Sequence, residues 1–200
     1  MSRRTARLRI VGGSFGGRTI SVPVDEGSVR PTSERLREAI ASALEARGAI
    51  AGRRVLDLFA GSGALAFEAL SRGAASASLV EHDRMVARAI ESSARALGVE
   101  PRVSVLLADL LDPAKQPIAA LRAAGAEPFD LVLCDPPYAR VAELSGLFAR
   151  LLEAGVVAAD GLVVVEHPSN VAPPSLADLV VERTYRHGSS AATLYSVRDR

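Results

Sequence analysis

The sequence predicts an α/β protein built on a mostly parallel sheet. Three observations point there. Between residues 53 and 167, five short apolar, β-branched segments alternate with amphipathic helical patterns. A glycine-rich loop, Gly61-Ser62-Gly63, stands between the first of these strands and the helix after it. Residues 180–197 break the alternation and pair two strand-like runs across Gly188-Ser189-Ser190. Strand–helix alternation implies βαβ units, hence a parallel sheet covered on both faces, to which a terminal hairpin can add an antiparallel edge strand.

The elements follow in order. Residues 8–24 read as two short strands around a glycine-rich turn. Pro31 can open a helix, and residues 33–47 continue it with Leu36, Ile40, Ala43 and Leu44 at helical spacing. Gly48 and Gly52 punctuate its end. The alternating part then places strands over 53–59, 76–81, 102–109, 129–135 and 161–167. Helices are expected over 64–73, 84–98, 115–125 and 142–155. Residues 168–178 are expected to be a loop, and no internal repeat or low-complexity tract is present. The organisation this predicts is a basic N-terminal extension over residues 1–50, a hairpin plus a helix, followed by the main domain over 51–200.

Composition narrows the class. An apolar share of 48% and a mean hydropathy of +0.19 over 200 residues exclude a disordered chain. Cys134 is the single cysteine, so neither a disulfide framework nor a cysteine-based zinc site is available, and no metal site is expected. The basic start lacks an apolar stretch behind it, and no uncharged apolar run approaches the roughly 18 residues of a membrane span. These features predict a soluble cytoplasmic protein with no membrane partner. The basic residues are 23 Arg and one Lys, Lys115, a skew that G+C-rich coding explains. Their distribution says more. Residues 1–37 hold eight Arg against Asp25, Glu26 and Glu34, a net of +5, while the rest holds 16 basic and 20 acidic residues. A basic segment on a mildly acidic body is suited to meet an anion.

Two motifs carry chemistry. In the first, Ala60, Gly61, Ser62 and Gly63 join a strand to a helix whose N-terminus favours a negative group. Glu81 ends the second strand, where a carboxylate can accept hydrogen bonds from ribose hydroxyls, and Asp109 ends the third. The loose GxGxxG/A match is weak by itself and also fits a dinucleotide. Asp57, four residues before Gly61, argues against that ligand. A carboxylate there opposes a pyrophosphate but suits S-adenosylmethionine, which bears an ammonium group and a sulfonium. In the second motif, Asp135-Pro136-Pro137-Tyr138 follows strand four directly. An exocyclic base amine is a poor nucleophile because its lone pair is delocalised into the ring. The Asp135 carboxylate and the Pro136 carbonyl can accept its two N–H groups and localise that lone pair. The prolines set these acceptors before substrate arrives. Tyr138 offers a stacking face worth about 1–3 kcal/mol.

With these motifs the chain resembles a known group. LDLFAGSGALAFEALSRGA, LVEHDR and LCDPPY look like a Rossmann-like class I methyltransferase of the amino type. IVGGSFGGRTI and RPTSERLREAI narrow the resemblance to the RsmD-type family of bacterial 16S rRNA (guanine-N2)-methyltransferases. The resemblance implies methylation of the guanine conventionally numbered 966, in the small subunit or an assembly intermediate; a monomer is expected. It implies that Asp57, Ala60, Gly61, Ser62, Gly63, Glu81, Asp109 and Leu110 hold S-adenosylmethionine, with His82 in contact with its adenosine. Asp135 to Tyr138 would form the target pocket. Arg9, Arg18, Arg30, Arg35 and Arg37 would grip RNA phosphates, and Pro31-Thr32 would close over the site.

Other residues are assigned no chemistry. Cys134 is read as a core thiol, Phe59 and Phe67 as core, and His167 and His187 as structural or surface groups. Glu166, at the end of strand five, is read equally as lining the cleft or capping the strand. The nearest rival function is DNA adenine-N6 or cytosine-N4 methylation, which uses the same tetrapeptide but usually needs a recognition domain for which there is no room. A protein glutamine methyltransferase would more often carry Asn at position 135. An NAD-dependent oxidoreductase and a non-catalytic ribosome-assembly factor stand further off.

Overall fold

The computed structural model describes residues 4–24, 33–112, 117–124 and 127–198. Arg30, Pro31 and Thr32, assigned above to RNA contact and closure, lie outside the described residues. Among those described are nine strands and five α-helices. β1 (Arg4–Arg9) and β2 (Thr19–Val24) form a separate antiparallel hairpin. The other seven, β3 (Arg54–Asp57), β4 (Ser76–Glu81), β5 (Val103–Leu107), β6 (Phe129–Cys134), β7 (Val157–Pro168), β8 (Leu179–His187) and β9 (Ser190–Val197), make one sheet in the order β5-β4-β3-β6-β7-β9-β8. The helices are α1 (Glu34–Ala46), α2 (Ala64–Ser71), α3 (Arg84–Leu97), α4 (Pro117–Ala124) and α5 (Leu144–Glu153).

β3 pairs in parallel with both β4 and β6, so the strand order reverses beside β3. This is where open α/β sheets bind ligands, beyond the carboxyl ends of the strands. The antiparallel strand lies one place in from the edge. β9 sits between β7 and β8, pairing antiparallel with each, and β8 is the edge. A hairpin entering a sheet must dock one strand first, and the more buried β9 is the one that docks.

Side chains alternate across a strand, and two apolar cores separate accordingly. Val55, Leu131, Leu133 and Val164 pack on the face covered by α1, α2 and α3. Leu56, Val132, Cys134, Val163 and Val165 pack on the opposite face with Phe148 and Leu151 of α5. Cys134 and Phe67 are buried in these cores, and Phe59 packs partly buried against the second. The N-terminal extension contributes to the first core through Ile10, Ile20, Leu36, Ile40 and Leu44. Burying each such side chain stabilises by roughly 1.5–3 kcal/mol.

Local chemistry sets the helix ends. Ser33 caps α1 by accepting from the Leu36 N–H, and Asp83 caps α3 by accepting from Met85 and Val86. Arg18 of the hairpin donates to the carbonyls of Ala96 and Leu97 at the end of α3, where a cation is favoured. The helix predicted over 142–155 begins as a 3-10 segment, Tyr138–Glu143, before α5. β7 is longer than predicted, with a register shift between Phe129 and Leu131 of its partner β6.

Candidate active site

Three strand ends build the site, and alternation decides which residues face it. Val55 lies on the α2 side and Leu56 on the other, so Asp57 returns to the α2 side. Along β6, Leu131 and Leu133 lie on that side, which places Asp135 there too. Along β7, Val164 does the same for Glu166. Asp57, Asp135 and Glu166 thus share one face at the carboxyl ends of three adjacent strands.

Asp57 is buried, and among the described residues neither of its carboxylate oxygens has a hydrogen-bond partner of ordinary geometry. Burial first, then the negative charge of Asp135, pushes its carboxyl up to about 8. The Ala66 N–H offsets part of that rise, and Glu81 adds a little to it. An orphaned buried carboxylate fits a cationic ligand, whose charge would replace the missing partners.

The loop after β3 is shaped for close approach. Gly63 has φ +74° and caps α2, and a Cβ there would stand 2.9 Å from Phe67 and 3.0 Å from Leu79. Gly61 has φ +50°, and a Cβ there would meet nothing within 4 Å, so the backbone borders open space. Ala60 donates to Val80 and accepts from Gly63 at 2.6 Å, while Ser62 Oγ accepts from Ala64. Glu81 is buried and holds this loop. One carboxylate oxygen accepts from the Gly61 N–H at 2.9 Å and the other from the Asp83 N–H at 2.8 Å. A carboxylate has about four acceptor sites, so capacity remains for ribose hydroxyls. His82 is 74% exposed, with Nδ1 3.0 Å from Glu81. Asp109 lies two residues past β5, half-buried, and accepts from the Leu111 N–H, while Leu110 is buried. These residues fit the S-adenosylmethionine expectation in position and charge.

The tetrapeptide begins one residue beyond β6. Asp135 is half-buried, Pro136 buried and Pro137 exposed. Tyr138 shares a 2.8 Å hydrogen bond with Ser190 Oγ of β9, which ties the ring to the sheet. Burial raises the Tyr138 phenol, and the nearby charges of Glu166 and Asp135 raise it further against the Ser190 bond. Burial also pushes the Cys134 thiol up, in keeping with a core residue.

The predicted arginine set divides. Arg35 is exposed, and Arg9 is 55% exposed in an ion pair with Glu34. Arg18 is spent on the end of α3, as above. Arg37 is a correction: it is 1% exposed, donates to the Arg9 carbonyl at 2.9 Å, and cannot reach a phosphate from there. Its place on the apolar face of α1 explains this, since Leu36, Ile40 and Leu44 turn the same side inward. Burial lowers its pKa, opposed by the charges of Glu68, Glu34 and Glu166.

Two residues were not foreseen. Glu68 and Ser71, on the buried side of α2, clamp the glycine-rich hairpin turn. Glu68 accepts from Val11 and Gly12 at 2.8 and 2.9 Å and from Arg72 at 3.2 Å. Ser71 Oγ donates to Gly12 and accepts from Phe15. A carboxylate at a core position of an otherwise apolar helix was the available signal. His167 proves structural: its Nδ1–H donates to the Pro168 carbonyl and Nε2 accepts from Thr193, with burial lowering its pKa.

Comparison with known proteins agrees with this geometry. The family model described as Conserved hypothetical protein 95 matches residues 8–196. Ribosomal RNA small subunit methyltransferase D of Escherichia coli strain K12 is 33% identical over 192 residues, 96% of this chain and 90% of its own length. The solved structure of the Escherichia coli protein yhhF superposes with a TM-score of 0.78 at 32% identity, covering 98% of this chain and 100% of that one. An RNA methyltransferase from Salinibacter ruber, solved in complex with S-adenosyl-L-homocysteine, has the same fold at 14% identity, with a TM-score of 0.63 over 86% of this chain and 95% of that one.

Proposed function

The chain belongs to the RsmD-type methyltransferase family, and from that premise we propose that it methylates the exocyclic N2 amine of a guanine in 16S rRNA, the one conventionally numbered 966. The observation that carries the reading is the placement of Asp135-Pro136-Pro137-Tyr138 beside Asp57 and the Gly61 loop, where the strand order reverses.

When bound, S-adenosylmethionine supplies an electrophilic methyl group on a sulfonium and leaves as S-adenosylhomocysteine. Asp57 would face its positive charge, the Gly61-Ser62-Gly63 backbone and the start of α2 its carboxylate, and Glu81 its ribose. Asp109, Leu110, Ala60 and His82 would border the adenosine. The Asp135 carboxylate and Pro136 carbonyl accept the two amine N–H groups, so the nitrogen lone pair is freed to attack. Asp135 or water then takes the proton that the methylated nitrogen sheds. Tyr138, fixed by Ser190, stacks on the base. A base in folded RNA must turn out to reach this pocket, which favours an unstacked loop nucleotide. Exposed Arg9 and Arg35 meet phosphates, a role that the sequence also assigns to Arg30 and Thr32. The protein acts as a monomer on the small subunit or an assembly intermediate.

The test is incubation with methyl-labelled S-adenosylmethionine and three acceptors: small subunits lacking the modification, naked 16S rRNA and duplex DNA. Label in N2-methylguanosine, lost in Asp135→Ala, is the expected result. Label in N6-methyladenine of DNA would overturn it.

A further inference from the structure

Of the three carboxylates on the active face, the proposed reaction uses Asp57 and Asp135 and leaves Glu166 without a task. Glu166 is 4% exposed. Cys134 pairs with Val165 across the parallel β6–β7 ladder, so Asp135 and Glu166 follow it in step on neighbouring chains. Neighbouring strands lie about 4.8 Å apart, so two side chains projecting from them can reach adjacent atoms of one flat ring. The Tyr138 hydroxyl feels the charge of both carboxylates and hydrogen-bonds Glu166, which keeps further acceptor capacity. Arg37, buried on α1, interacts electrostatically with Glu166 as well as with Glu68 and Glu34.

Acceptors on both strands suit one kind of base. Next to the amine of adenine or cytosine, the ring nitrogen carries a lone pair. Next to the amine of guanine, N3 carries a lone pair but N1 carries a proton. A base with its amine held by Asp135 and Pro136 presents that ring nitrogen to the neighbouring side chain. A carboxylate there rewards an N–H and repels a lone pair. We infer that Glu166 is the specificity residue for guanine, its carboxylate accepting the ring N1–H while Asp135 holds the N2 amine. The inference rests on the proposed amine methylation at Asp135, and supplies a physical reason for the base choice that the tetrapeptide lacks.

The test compares two target bases in one assay. Small subunits are reconstituted with 16S rRNA ligated to carry guanine or 2-aminopurine at the labelled position. 2-Aminopurine keeps the amine but has a lone pair at N1. Wild-type protein is expected to prefer guanine. Glu166→Gln, whose amide can turn its NH2 toward that lone pair, is expected to lower the guanine to 2-aminopurine ratio of kcat/KM by at least about tenfold. The ratio is read on one preparation, so partial misfolding cancels from it. If Glu166→Gln gives no active protein, Glu166→Asp, which withdraws the carboxylate, must lower the same ratio. A ratio unchanged while both rates fall together would make Glu166 a packing residue and overturn the inference. Wild-type protein that labels adenine and never guanine would instead bring down the guanine reading itself, a distinguishable failure.

Discussion

Asp57 and Asp135 bear on one another's charge from the carboxyl ends of neighbouring parallel strands, β3 and β6. Asp57 is buried, with no hydrogen-bond partner of ordinary geometry among the described residues, and Asp135 is half-buried. That arrangement puts the group that would meet a sulfonium next to the group that would meet an amine, and it has measurable consequences.

The first concerns pH. The Asp57 carboxyl stands at about 8 in the folded protein against 3.8 for the free group. In strongly acidic solution it is neutral in both folded and unfolded chains, and its stabilising contribution is complete. As the pH rises toward about 8 the unfolded chain has released this proton while the folded one keeps it, so that contribution is progressively lost. Asp57→Asn is therefore expected to melt above the wild type at pH 8–9 without ligand. Donor affinity should run the other way, since a cationic ligand needs the carboxylate. Calorimetry with S-adenosylmethionine should show wild-type affinity rising by up to about tenfold per pH unit until about pH 8. A flat wild-type profile would contradict the assignment.

Asp135 separates chemistry from donor binding. Asp135→Ala should lower kcat by about 10²–10³-fold, the scale for losing one preorganised electrostatic contact. Affinity for S-adenosylhomocysteine should change little, and calorimetry beside the methylation assay reads both. Equal loss of binding would place Asp135 in the donor site.

Tyr138 should divide by atom. Tyr138→Phe keeps the stacking face and loses the hydroxyl's bonds to Ser190 and Glu166, so a modest fall in activity is expected. Tyr138→Ala should cost about 1–3 kcal/mol in kcat/KM through lost stacking. Equal effects would mean that the hydroxyl, not the ring, matters.

The hairpin clamp predicts a loss of stability. A Cβ at Gly13, at φ +73°, would stand 2.1 Å from the Ser71 carbonyl oxygen. Gly13→Ala should destabilise by at least about 1 kcal/mol. Glu68→Gln leaves one of two partly buried N–H groups poorly served and should cost about 1–3 kcal/mol. Denaturant melts measure both, and hydrogen exchange at Val11 and Gly12 should speed up in each.

The strand-end positions of the candidate site residues are legible in the sequence. The spacing from Asp57 to Gly61, Glu81, Asp109 and Asp135 follows strand ends, and strand ends follow the apolar pattern, which is local. Arg37 was not legible as a buried group: a basic residue among seven other early arginines carries no mark of burial until α1 is rotated onto the sheet. Glu68 and Ser71 were hidden for the same reason. Their partners, Gly12 and Phe15, lie more than 50 residues away in the chain.

What the sequence determined alone was therefore the alternating architecture, the two motifs and the order in which their residues reach the carboxyl edge of the sheet, because periodicity and turn chemistry act over a few residues. Only the tertiary structure decided that β9 inserts inside β8, that Arg18 and Arg37 hold the fold while Arg9 and Arg35 stay on its surface, and that Glu166 stands beside Asp135. Those outcomes depend on which strands pair and which helix face turns inward, and such choices are settled by burying apolar surface across the whole chain.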